Sequence, residues 1–201
     1  MKYVTIAIVS ILFLTVVPAH GAKVKMPPAP AIDMGSVTPL PLTAGLDLGE
    51  DFRTRIEVVK TSPFDKLKFP VGQFTTELLE KNLPTIFADL RLDPSKVEDL
   101  DVRVSAQLLR FEVTIPHPAY NPYHAAVVLK VIVSDPDGEV IFTQTAAGEG
   151  QTSKGMMSGF KAKAIAAESV KLAVVDAATQ VFEGLLEAED LRELGHEAPG
   201  Q

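Results

Sequence analysis

From Leu42 the chain alternates: Leu42, Ala44, Leu46 and Leu48 are apolar, and Thr43, Gly45, Asp47 and Gly49 separate them. A period of two predicts a half-buried strand. Residues 53–60, RTRIEVVK, predict a second short strand, and 61–70, with two prolines, a loop. Over 71–90, Phe74, Leu78, Leu79, Leu83, Ile86, Phe87 and Leu90 recur at steps of three and four. That spacing predicts an amphipathic helix kinked at Pro84, or two shorter helices. Asp93-Pro94 opens a turn. Residues 99–115 predict a long strand in which Val102, Val104, Ala106 and Leu108 share one phase. Leu109, Phe111, Val113 and Ile115 take the other, so a bulge is expected at Leu108–Leu109. A turn-rich connection (117–124) leads to a β-branched, nearly continuous apolar strand (125–134), a DPDG turn (135–138) and a returning strand (139–146). The glycine-rich stretch 148–159, GEGQTSKGMMSG, reads as a loop, and a helix follows from 160 to 194, ended by Gly195. The order β(β)-α-β-β-β-α predicts an α+β fold: a two-layer sandwich with a mainly antiparallel sheet and two helices on one of its faces.

The N-terminus changes the picture from fold to compartment. Lys2 precedes an apolar run from Val4 to Val17, Pro18 ends it, and Ala19, Gly21 and Ala22 follow. This is the pattern of a secretory signal, with cleavage after Gly21 or Ala22 fitting equally well. An uncleaved membrane anchor is the alternative, but the run is shorter than the roughly 20 residues a spanning helix needs. The division expected is a signal peptide (1–22), a proline-rich linker (23–41), one α+β domain (42–195) and a tail (196–201). The linker reading rests on Pro27, Pro28, Pro30, Pro39 and Pro41 and on the lack of apolar periodicity. With no cysteine in the chain, disulfides, thiolate chemistry and a lipid anchor are all ruled out of the expectation. The protein is expected to be periplasmic or secreted.

Composition and charge narrow the chemistry. The 201 residues carry a net charge of −7, which argues against a nucleic-acid partner. Gly150 and Gly155 have the spacing of a phosphate-binding loop, but Met156 and Met157 stand where lysine and a hydroxyl residue belong, and Lys154 comes too early. The dinucleotide pattern fails as well, because Ser153 takes the third glycine position. The loop is read instead as a turn segment, with Lys154, Met156, Met157 and Phe160 as a candidate partner contact. His117 and His124 flank PAYNPY; two histidines without an acidic companion make a poor metal site. Together with Tyr120 and Tyr123 they form a candidate recognition loop. No nucleophile elbow, zincin motif or convincing acid pair is present, so no cofactor, metal or catalytic residue is expected, and the chain is read as a non-enzyme.

The element order, the stretch FPVGQFTTELLEKNLPTIFADL (69–90) with Gly72 and Phe87, the strand meander and the alanine-rich C-terminal helix carry a resemblance. Over roughly residues 40–190 the chain resembles the small α/β domains of bacterial envelope lipoproteins: the LPS-assembly lipoprotein LptE, YajG-type lipoproteins and the auxiliary lipoproteins of ABC-type transport systems. Those families mostly carry a lipidated cysteine, which this chain lacks. The resemblance implies a non-enzymatic accessory or binding protein in envelope assembly or transport, with an envelope protein complex or lipid as partner, and a homo-oligomer as one arrangement. A periplasmic lipid or small-molecule carrier is the alternative and would need an apolar cavity between sheet and helices. An enzyme would need His117, His124 and a distant carboxylate to converge.

Overall fold

A computed structural model describes residues 21–61, 65–92, 99–115, 122–152 and 162–197. Its elements run β1 (Ala22–Lys23), β2 (Leu40–Leu46), α1 (Glu50–Arg53), β3 (Glu57–Lys60), β4 (Lys66–Phe69), α2 (Val71–Asn82), a 3-10 turn (Leu83–Thr85), β5 (Phe87–Arg91), β6 (Val102–Thr114), β7 (Tyr123–Ser134), β8 (Val140–Thr152), α3 (Ala162–Glu187) and α4 (Glu189–Glu197). Two sheets form, a five-stranded one in the order β5-β2-β6-β7-β8 and a three-stranded one in the order β1-β4-β3. The α+β class is as the periodicity predicts. β6, β7 and β8 make an antiparallel meander, while β2 runs parallel to both β5 and β6.

Strict alternation organises the larger sheet. Tyr123, Ala125, Val127, Leu129, Val131 and Val133 of β7 are buried, and the residues between them are half-buried. α3 packs across β7 and β8 on the buried side, presenting Ala166, Val170, Ala173, Val174, Ala177 and Val181 to it. Each large side chain fully withdrawn from water there contributes roughly 1.5–3 kcal/mol. The bulge expected in β6 is present between Leu108 and Arg110. It turns Leu109 outward, and it leaves the Leu108 carbonyl to accept a hydrogen bond from Arg55 Nη1 at 2.6 Å. Beyond it Phe111 returns toward the core, its ring centroid 5.8 Å from that of Phe69 in β4. The bulge thus fastens the small sheet to the large one.

Several boundaries differ from the expected ones. The helix expected over 71–90 stops at Asn82, passes Pro84 in the 3-10 turn and becomes strand β5. Proline cannot donate to the carbonyl four residues back, and the residues after it find partners in β2 instead. The expected loop 61–70 contains β4, which pairs with β3. The long C-terminal helix is two helices, broken at Ala188, and Gly195 lies inside α4 rather than after it. A Cβ on Gly195 would stand 2.7 Å from Pro41 Cγ, so the glycine serves close packing, not helix termination.

The proline-rich stretch expected as a linker is docked on the domain. Ala22–Lys23 pair parallel with β4, and Val24 N–H donates to Lys68 O at 2.8 Å. Val24 and Ala29 are buried. The Asn82 side chain, itself buried at the end of α2, accepts from Ile32 N–H at 2.7 Å and donates to Pro30 O and Leu78 O. Proline leaves main-chain groups without partners of their own kind, and one asparagine satisfies two of them here.

Candidate interaction site

Strand register decides which candidate residues meet. Thr114 of β6 pairs with His124 of β7, and Tyr123 of β7 pairs with Thr152 of β8. The connection between β6 and β7 and the connection between β8 and α3 therefore leave from adjacent strand ends, at one end of the sheet. These are the two segments that the sequence marks as candidate contacts. His117, Tyr120, Lys154, Met156, Met157 and Phe160 lie outside the described residues.

The two candidates that are described have different roles. Tyr123 is only 3% exposed. It belongs to the core row of β7, which corrects its reading as a recognition residue. Its carbonyl accepts from Ser169 Oγ at 3.3 Å. Ser169, buried on α3, also bonds Thr152 Oγ1 and Ile165 O. This hydroxyl pair joins the end of β8 to the first turns of α3, because a buried hydroxyl is costly unless it finds a partner. His124 is on the opposite, open face, with Nε2 3.5 Å from Glu149 Oε2. Both side chains are well exposed, at 40% and 76%, so solvent screens the pair.

The two described glycines of the supposed loop are strand. Gly148 and Gly150 belong to β8, opposite Val127 and Ala125. A Cβ on Gly148 would overlap Ala173 O, and one on Gly150 would overlap Ser169 O. Glycine is there because the α3 backbone lies directly on the sheet, not to cradle phosphate. The visible signal was spacing: the two glycines are two residues apart, in phase with the buried row of β8.

The open face of the large sheet mixes polar side chains with Ala126, Val128 and Ile132 of β7. It carries Arg110, Glu112, Lys130, Thr143, Thr145 and Glu149 by register and alternation. Arg110 and Glu112 form an exposed two-pronged ion pair. The α3 side chains reach round the edge of β8: Asp176 accepts from Glu149 N–H at 3.0 Å, and Gln180 donates to Ala147 O at 2.9 Å. They occupy main-chain groups that an added strand would otherwise use.

Two surface grooves are present. One, of about 500 Å³, lies between residues 23–28 and the start of α2. The other, of about 540 Å³, lies between residues 37–41 and Leu186, Arg192 and His196. The layer between sheet and α3 is lined by buried side chains, Val127, Leu129, Val170 and Val174 among them. Among the described residues no three His, Cys, Asp or Glu side chains gather as metal ligands, and no helix is long and apolar enough to cross a membrane.

No protein-family model matches the chain, and no curated protein matches it by sequence. Solved structures are similar to it in build. A Xanthomonas campestris protein of the DUF330 family is 9% identical, with 82% of this chain and 96% of that one covered and a TM-score of 0.48. A minor lipoprotein from Acinetobacter baumannii is 8% identical over 74% of this chain and 93% of that one, with a TM-score of 0.41. PelC from Paraburkholderia phytofirmans, whose structure is a dodecamer, is 15% identical over 75% and 96%, with a TM-score of 0.37. At such identities and scores neither an activity nor an assembly is carried across.

Proposed function

We propose that the chain is a non-enzymatic accessory protein of the cell envelope, acting outside the cytoplasm by binding a protein partner in envelope assembly or transport. The observation that carries this reading is that the connections 115–122 and 153–161 leave from adjacent strand ends at one end of the sheet. The sequence's own candidate contacts, among them Met156, Met157 and Phe160, fall within these two connections. The apolar N-terminal run supplies the compartment. The resemblance to LptE, YajG-type and transport-auxiliary lipoproteins supplies the setting. Of the buried polar side chains described, Asn82, Ser169 and Thr75 bond the main chain and so serve the fold, while Thr76 Oγ1 finds no partner.

The test is affinity purification from gently solubilised envelopes, with mass spectrometry of co-purifying proteins and lipids. A transporter or assembly component is the expected companion. Its recovery should fall with a Met156→Glu/Met157→Glu variant that keeps the wild-type circular dichroism. Stoichiometric lipid without protein would replace this reading with the carrier.

A further inference from the structure

Four lysines gather on one small sheet of a chain of net charge −7. In the three-stranded sheet Lys23 pairs with Lys68, and Lys60 pairs with Lys66. Leu67 and Phe69 alternate with the two β4 lysines and are buried beneath them, so Lys66 and Lys68 face outward. Lys23 and Lys60 are exposed. Among the described residues no salt bridge engages any of the four, and Glu57 of the same sheet is taken by Arg55 at 2.7 Å. Asp65, which precedes Lys66 in the chain, is the acidic neighbour on this side. Val58, opposite Lys68, is 51% exposed, and Ile56 two residues earlier is 49% exposed. Like charges directly opposite on paired strands destabilise a sheet. This sheet holds two such pairs side by side, an arrangement that an anionic surface relieves.

The chain's own path supplies the second observation. A Cβ on Gly21 would stand 2.9 Å from Lys68 Cε and 3.3 Å from Lys66 Cβ. The polypeptide therefore enters the domain at the sheet edge beside these lysines. The apolar run ending at Val17 precedes that entry by four residues.

We propose that Lys23, Lys60, Lys66 and Lys68, with Val58 and Ile56 among them, dock the domain on a bilayer surface containing anionic phospholipid. The sheet edge at which Gly21 enters borders the lysine face. Retention at the surface then does not depend on that run or on a lipidated cysteine. Each lysine near an anionic surface strengthens binding roughly fivefold, and the attraction is screened by salt. This goes beyond the accessory-protein reading and is tested without any protein partner.

The experiment is co-sedimentation of the chain from Gly21 onward, which keeps every described element. It uses vesicles of phosphatidylcholine alone and vesicles with added phosphatidylglycerol. Binding is expected only to the anionic vesicles and should be lost at high salt. The Lys23→Gln/Lys60→Gln/Lys66→Gln/Lys68→Gln variant should lower the partition coefficient by on the order of 1,000-fold. A control removing the same charge elsewhere, Arg110→Gln/Lys130→Gln/Lys163→Gln/Lys171→Gln, should retain binding. Circular dichroism confirms folding of both. Equal binding to the two vesicle types, equal loss in both variants, or capture of an acidic protein without vesicle binding would each overturn the proposal.

Discussion

Gly150 shows how one residue decides between a loop and a packed interface. Its Cβ position is already taken by Ser169 O and lies 2.6 Å from Ala173 N, both on the α3 main chain. Neither a backbone atom nor a helix axis can yield locally. Gly150→Ala is expected to cost about 2–3 kcal/mol, as overpacking does, measured as a lowered urea midpoint with an unchanged slope. Asn82 is the counterpart on the other side of the molecule. Asn82→Ala strands the Ile32 N–H and two carbonyls. The expected loss is about 2–3 kcal/mol, with faster hydrogen exchange at Ile32. The asparagine was visible in the sequence within an apolar stripe, but its partners were not. They lie 50 and 52 residues away in a segment without periodicity.

At the scale of elements, the legible features were those whose signal is local. The phase switch in 102–114 announced the bulge because a strand's alternation is set by the strand itself. The turn at Asp135–Gly138 was equally plain, and Gly138 takes a φ of 96° there. Strand β5 was hidden, since Ile86, Phe87 and Leu90 also satisfy a helical spacing. Its identity comes from parallel pairing with β2, between segments more than 40 residues apart. The docked arm was hidden for the same reason. Val24→Ala should cost about 2 kcal/mol and make the Lys25 peptide bond newly sensitive to limited trypsin digestion, because Val24 is the side chain that buries β1.

At the scale of the molecule, the two sheets share one core, in which Leu67 and Phe69 of the small sheet join Val127 and Leu129 of the large one. Phe69→Ala is therefore expected to lower global stability by about 3–4 kcal/mol. Unfolding followed by far-ultraviolet circular dichroism should remain a single transition rather than loss of the small sheet alone. Alternation and helical stripes, read from the sequence by themselves, determined the α+β class, the meander, the bulge and a C-terminal helix with an alanine face. Each of these depends on which side of its own element a residue points. Only the tertiary structure decided the parallel strand order around β2, the docking of residues 22–34, the placement of Gly148 and Gly150 beneath α3, and the gathering of four lysines on one small face. Those depend on which distant segments lie side by side, and the spacing of residues along a single element carries no record of its neighbours.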